Sequence, residues 1–293
     1  MIGLSWMVLL AGLAPMGATS SSGPSVPGVE AGPGGHAAFP LQDTALAPAG
    51  VAAWLSSLPV DEGVAREMGR FTASRTVLPS DYTRALPDWI RQDIARRVQS
   101  ALEGIQARGC TPSVVADYPG KGFSGLGEGA GVVEDFENSF VLTEMVACFP
   151  GTSADPESAL RTYTDPEFRM EAEGRIEEIV SESGLSCVQT GGVPLLMDPS
   201  RACNRITELV EGAVASQHSQ VVRGDPADRF QPIYFKESVK TFVRTPEGLA
   251  LHYVNYTRTM NLGGLAKRVG RGKIEEGQRA QADLLAKRLS AGG

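Results

Sequence analysis

The spacing of apolar positions predicts an amphipathic helix over residues 88–108. Apolar side chains recur there every three or four positions and so share one helical face. They are Ile90, Ile94, Val98, Leu102 and Ile105. Pro87 suits a first helical turn, and Gly109 suits the end of the helix. Residues 51–71 show a looser helical pattern, which Pro59 and Gly63 interrupt.

Residues 140–149 combine β-favouring and apolar side chains and predict a strand. Asp155 and Pro156 indicate a helix start, and residues 157–173 read as two short helices broken near Asp165. Residues 175–190 favour a hairpin. Residues 204–217 predict a further helix with Asn204 as its cap. Its apolar positions are Ile206, Leu209, Val210, Ala213 and Val214.

The clearest strand pattern in the chain predicts a long antiparallel hairpin. Residues 234–244 alternate apolar positions with Lys236, Lys240 and Arg244, residues 245–248 carry a turn signal, and residues 249–259 form the partner strand. A long C-terminal helix is predicted over residues 262–289. Its expected inward stripe consists of Leu265, Val269, Ala280 and Leu284.

Composition changes the picture at the N-terminus. The chain of 293 residues has a net charge of -7, yet its first basic residue is Arg66. An apolar run at residues 4–14 is too short to span a bilayer and suits a secretory signal peptide. We therefore predict a signal peptide over residues 1–20 and export to the periplasm or the extracellular space. A disordered, Ser-, Gly- and Pro-rich linker is predicted over residues 21–50.

The order of predicted elements resembles the START-like or SRPBCC superfamily, the helix-grip fold. The resemblance rests on the strand at residues 140–149, the helix pair at 155–173, the hairpin at 234–259 and the helix at 262–289. It implies an α+β fold in which an antiparallel sheet grips a long C-terminal helix over residues 132–293. A small helical N-terminal region and a Gly-rich loop, residues 51–131, would precede it. The resemblance also implies an apolar cavity for a hydrophobic small molecule such as a lipid, sterol or polyketide.

The candidate ligand-binding residues are polar side chains on the last strand together with Glu144 on the strand at residues 140–149. Side chains of a strand alternate between its faces, so Tyr253 and Asn255 share one face while His252, Tyr256 and Arg258 share the other. A few polar groups in an apolar cavity can fix the orientation of a ligand. Alternatively, these groups hydrogen-bond within the sheet, and Arg258 pairs with Glu144.

The four cysteines, Cys110, Cys148, Cys187 and Cys203, all lie downstream of the predicted signal peptide. An even number in an exported chain favours disulfides, and four cysteines allow three pairings. Cys187 with Cys203 closes the shortest loop, so we prefer that pair together with Cys110–Cys148. In a cytosolic protein the same residues would be buried free thiols.

Motifs for reaction chemistry are sparse. Gly125, Gly127 and Ala130 match a relaxed dinucleotide fingerprint, but neither a strand before it nor a helix after it is predicted. We predict no catalytic residue, no metal site and no cofactor. Nucleic acid is not expected as a partner, because a clustered basic and aromatic face is missing. Transient membrane contact is left open as a further partner.

Two other functions remain open from the sequence. A cyclase- or hydrolase-type enzyme could use the same cavity with His252, Tyr256 or Arg258, and His218 is the other usable imidazole. An envelope-associated interaction module with a filled core would have no ligand.

Overall fold

The computed structural model describes residues 48–60, 64, 80–118, 140–174, 176–182, 185–190, 200–224, 235–258 and 264–291. The N-terminal elements are α1 (Pro48–Ser57), α2 (Ser80–Arg108) and β1 (Ser113–Asp117). The first long strand and the two short helices are β2 (Phe140–Pro150), α3 (Pro156–Thr164) and α4 (Pro166–Glu173). The remaining elements are β3 (Ile176–Glu182), β4 (Leu185–Thr190), β5 (Ser200–Glu211), β6 (Val214–Gly224), β7 (Phe235–Thr245), β8 (Gly248–Arg258) and α5 (Gly264–Ala291).

The eight strands of the described ranges form one antiparallel sheet in the order β1-β2-β8-β7-β6-β5-β4-β3. Short loops set the register: Glu211 pairs with Val214 across two residues, and Thr245 pairs with Gly248 in the same way. The predicted α+β fold, with an antiparallel sheet and a long C-terminal helix, is confirmed. The predicted hairpin of β7 and β8 and the predicted strand β2 are confirmed with it.

Helices cover both faces of the sheet. The face toward α2, called here the α2 face, packs against α1 and α2. The face toward α5, called the α5 face, packs against α3, α4 and α5. Because both sides of the central strands are covered, β8 is buried continuously from Gly248 to Tyr256. Two separate apolar cores result, one on each face.

The helix predicted over residues 204–217 is wrong, because this segment forms most of β5 and the start of β6. Its apolar residues do recur at helical spacing, but Ile206, Val210 and Val214 are β-branched and suit a pleated sheet. Gly212 adopts a φ of 55° in the loop between the two strands. That conformation suits a two-residue hairpin loop and not a helix interior.

Helix α2 contains the predicted helix and starts earlier than expected, at Ser80, with Pro87 inside it. All five residues of the predicted apolar face are buried in the core of the α2 face. Helix α1 starts at Pro48, within the predicted linker, and packs on α2. Strand β1, which precedes the predicted boundary at residue 132, pairs with β2.

The inward stripe predicted for the C-terminal helix is wrong at two positions. Val269 is 39% exposed and Ala280 is exposed, whereas Leu285 and Leu289 are buried against the α5 face. Leu284 packs only partly on that core, and the side chain of Leu265 lies outside the description. The buried residues Leu285 and Leu289 follow a four-residue spacing at the C-terminal end of α5.

Both preferred disulfides are present. Cys110 bonds to Cys148 and ties the segment after α2 to β2. Cys187 bonds to Cys203, and the two residues are directly opposite each other on β4 and β5. Within the described ranges, no helix is both long and apolar enough to cross a membrane.

Candidate functional site

The six predicted ligand-binding residues are divided between the two faces of the sheet. His252, Tyr256 and Arg258 lie on the α2 face, as does Glu144 of the neighbouring strand β2. Tyr253 and Asn255 lie on the α5 face. The divided positions follow from strand alternation together with the two helical layers.

On the α2 face, a polar network joins β2 and β8 to α2. His252 Nε2 lies 3.0 Å from Glu144 Oε1, and Arg97 donates to Glu144 Oε2 at 2.7 Å and to Asp93 Oδ2 at 2.6 Å. Tyr256 donates its hydroxyl proton to Asp93 Oδ2 at 2.5 Å. The predicted pair of Glu144 with Arg258 does not fit the register, because Arg258 is opposite Phe140, four positions along β2 from Glu144.

The electrostatics of this network favour ionised carboxylates. Burial would raise the pKa of Asp93, but hydrogen bonds from Tyr256 and Arg97 outweigh burial and hold it below its ordinary value. Burial would likewise raise the pKa of Glu144, but the interactions with His252 and Arg97 outweigh burial and lower it. Burial and the neighbouring Asp93 raise the pKa of Tyr256. These groups are paired with one another and serve to fasten α2 to the sheet.

A second network on the α2 face holds the other imidazole. Glu237 Oε1 accepts from Arg91 Nε at 2.9 Å and lies 2.9 Å from His218 Nε2, and Gln220 donates to Glu237 Oε2 at 3.1 Å. Arg91 also donates to the carbonyl of Leu58, just after α1. The network therefore joins α1, α2, β6 and β7 across a buried interface.

On the α5 face, a row of mostly polar side chains crosses five strands. The register places Met145, Tyr253, Lys240, Gln217 and Glu208 side by side on β2, β8, β7, β6 and β5. We call this set the Lys240 row. A second polar row runs beside it through Thr143, Asn255, Ser238 and Ser219. All four side chains of the second row are buried.

Lys240 is the central cation of this face. Its ammonium donates to Gln217 Oε1 at 3.0 Å and lies 5.6 Å from the centre of the Tyr163 ring. Burial, followed by the charges of Arg169 and Lys236, lowers the pKa of Lys240 to about 7. Burial raises the pKa of Tyr163 and that of Tyr253 above the ordinary tyrosine value.

The sequence analysis did not select Lys240 as a site residue. In the alternation of β7, Lys236, Lys240 and Arg244 resemble the solvent face of an amphipathic strand. The structure covers that face with helices, and the signal that could have shown this is the unbroken apolar run Leu249–Leu251 at the start of β8, which does not alternate with polar positions.

An apolar cleft of about 420 Å³ lies between β1, β2 and α5. Met145, Ala147 and Phe149 line it from β2, and Ala282 and Ala286 line it from α5. Arg279 and Asp283 of α5 add the charged part of its lining. Met145 belongs to both the cleft and the Lys240 row, so the cleft and the polar face adjoin.

Strand β2, two short helices, six antiparallel strands and a terminal helix over the α5 face follow one another in the chain. This is the helix-grip fold. Helices α1 and α2 add a layer on the opposite face, and β1 adds an edge strand. No cluster of His, Cys, Asp and Glu that could hold a metal ion occurs within the described ranges. The Gly125 fingerprint lies outside those ranges.

Comparisons with solved structures give low overall similarity. A conserved protein from Geobacillus kaustophilus matches 52% of this chain and 95% of its own, at 11% identity and a TM-score of 0.36. Human STARD10 matches 50% of this chain and 63% of its own, at 11% identity and a TM-score of 0.37. A START superfamily protein from Mycobacterium smegmatis matches 53% of this chain and 99% of its own, at 12% identity and a TM-score of 0.35. No family model and no curated protein sequence matches the chain.

Proposed function

We propose that the protein binds a hydrophobic small molecule between the sheet and α5. The observation that carries this proposal is the cleft of about 420 Å³ beside β2. Ligand pockets have volumes of roughly 300–1,000 Å³ and are lined mainly by apolar side chains. Met145, Ala147 and Phe149 provide such a lining on the sheet, and Ala282 provides it on the helix.

The small side chains of α5 keep the cleft open. Ala282 and Ala286 face β2, where larger residues would fill the space between helix and sheet. Burial of apolar ligand surface in this cleft supplies roughly 25 cal/mol per Å² before the cost of association. A lipid, sterol or polyketide-like molecule has the apolar surface that such binding needs.

A pair of alanines on α5 provides a matched experiment. Ala282 lines the cleft, whereas Ala280 is exposed on the same helix. An Ala282→Trp indole should occupy the cleft and weaken binding of an apolar fluorescent dye by about tenfold or more, while Ala280→Trp should leave it unchanged. Equal dye affinity in the wild type and Ala282→Trp, with both folded by circular dichroism, would refute binding in the cleft.

Native mass spectrometry of the purified protein tests ligand retention without a chosen probe. A co-purified apolar molecule that is lost in Ala282→Trp and retained in Ala280→Trp would support the proposal. The absence of both a retained molecule and dye binding would instead favour an interaction module with no ligand. The cyclase or hydrolase alternative relied on His252 and Tyr256, which lie on the face opposite the cleft.

Export is the second part of the proposal, and two disulfides support it. Such bonds persist in oxidising compartments and are rare in the cytosol. Expression of the full chain followed by cell fractionation tests export, with thiol alkylation as the second readout. The disulfide-bonded form should accumulate outside the cytosol, and a cytosolic protein with four reactive thiols would contradict export. Transient membrane contact stays a prediction, testable by ligand uptake from vesicles.

A further inference from the structure

We propose that the bound molecule carries a negatively charged headgroup, most simply a long-chain carboxylate, and that Lys240 Nζ binds this group. The inference rests on the proposed function, because the chain of the same molecule would occupy the cleft. It goes further by assigning the charge of the ligand and the residue that recognises it.

The position of Lys240 connects the polar face to the cleft. Tyr253 pairs with Lys240 on one side and with Met145 on the other, so two strand spacings separate Lys240 from a residue of the cleft. Neighbouring strands lie about 4.8 Å apart, which makes that separation roughly 10 Å. A long alkyl chain exceeds this separation, so one molecule is long enough to reach from Lys240 to Met145 and Ala147 in the cleft.

Among the residues that the structure describes, none is an anionic partner for Lys240. Within the described part of the chain, no carboxylate lies at ion-pair distance from the Lys240 ammonium. An ammonium has three N–H donors, and Lys240 gives one of them to Gln217. Lys240 is partly buried, a cation in that position is less favourable without a counterion than in water, and an anionic ligand would supply that counterion.

Neighbouring side chains hold Lys240 in place and make its surroundings basic. Gln217 Nε2 donates to Glu208 Oε1 at 2.8 Å, which leaves Gln217 Oε1 directed at Lys240. Lys236 and Arg169 both disfavour the protonated form of Lys240, while Glu173 and Glu208 favour it to a lesser degree. Arg169 is partly neutralised by Glu173 at 3.7 Å.

These observations favour an anion over a neutral or cationic headgroup. A hydroxyl headgroup could accept a hydrogen bond from Lys240 but would not neutralise it. A cationic headgroup would be repelled by Lys240, Lys236 and Arg169. A carboxylate matches the site in charge, and charge-assisted hydrogen bonds are about twice as strong as neutral ones.

The experiment compares ligands that share a chain but differ in charge. Wild-type protein at pH 6 should bind dodecanoate about tenfold or more tightly than dodecan-1-ol in a calorimetric titration. Acetate, which has the charge without the chain, should bind at least about a hundredfold more weakly than dodecanoate. Both comparisons use unmodified protein and need no variant to fold.

Variants then assign the preference to one residue. Lys240→Met should bind the acid and the alcohol equally, and Lys240→Arg should restore the preference because it keeps the charge. Lys287→Met removes an exposed lysine of α5 and should change nothing. If both ligands bind wild type equally, or if Lys240→Met keeps the preference, the inference fails and the proposed function stands. If neither ligand binds, both fail.

Discussion

Replacement of Glu237 by Gln should strongly destabilise the protein, because it neutralises a charge that is fully buried. The Glu237 side chain is 0% exposed and its partner Arg91 is 3% exposed. The Gln amide would also place an N–H donor where Glu237 Oε2 now accepts from Gln220. Removing one partner of a buried ion pair costs about 3–5 kcal/mol, since the other charge stays buried without compensation.

Urea denaturation followed by circular dichroism, with the disulfides intact, measures this loss. The expected change in the free energy of unfolding for Glu237→Gln is about 3 kcal/mol. Arg271→Met is the matched control, because it removes an exposed ion pair with Asp117, in which both side chains are about half exposed. That control should cost at most about 1 kcal/mol.

A double-mutant cycle with Arg91→Met separates the pair from its surroundings. The double variant should be less destabilised than the sum of the single changes, because neither charge is then left alone. A loss below about 1 kcal/mol for Glu237→Gln would refute the conclusion that α2 and the sheet share one buried interface.

Three further predictions concern other parts of the fold. Gly248→Ala should lower the free energy of unfolding by more than about 2 kcal/mol, because Gly248 has a φ of 148° and an added Cβ would lie 2.3 Å from the carbonyl oxygen of Phe149; an unchanged urea midpoint would contradict this. Asp155→Ala should cost about 1 kcal/mol by removing the cap that accepts from Ser158 N at 2.8 Å. Because the pKa of Asp155 is lowered in the folded protein, this stabilisation is fully present above the ordinary aspartate pKa and is lost as the pH falls through the folded-state pKa. The free energies of unfolding of wild type and Asp155→Ala should therefore become equal in acid. The pKa of Lys240 near 7 predicts that dodecanoate affinity falls between pH 6 and pH 9 as the ammonium loses its proton, whereas dodecan-1-ol affinity stays constant; parallel pH profiles for the two ligands would contradict this.

The sequence pattern was sufficient to predict those helices and strands whose local pattern favours the same structure as their packing in the fold. The helix around Ile94 has a regular apolar face and is buried on that face. The β7–β8 hairpin combines strong strand patterns with a turn signal ending at Gly248. The disulfide pairing could be preferred because Cys187 and Cys203 are separated by only 16 residues, and opposite positions on adjacent strands bring them together.

Segments whose local sequence pattern favours a different structure from the one that packing in the fold requires were predicted wrongly. Residues around Leu209 have helical spacing, but their antiparallel pairing with β6 provides backbone hydrogen bonds along this part of β5 and overrides that spacing. The stripe of α5 was displaced because Leu285 and Leu289, not Val269, face the sheet. Helical periodicity in a helix with few apolar residues does not determine which face is buried.

The candidate site could be predicted only in part. Alternation correctly separated Tyr253 from His252, but it cannot show that both faces of β8 are covered. The Lys240 row brings together residues from five strands, between Met145 and Glu208, and this juxtaposition depends on the sheet order. No short segment of the sequence encodes that order.

The most direct measurement is an NMR titration of the full chain with dodecanoate, with methyl groups of Met and Ala observed. Binding beside α5 predicts that the largest shifts occur at Met145, Ala147 and Ala282, while Ala95 of α2 and Ala250 on the α2 face stay unchanged. Shifts concentrated at Ala95 and Ala250, or no saturable shifts, would contradict a ligand site between the sheet and α5.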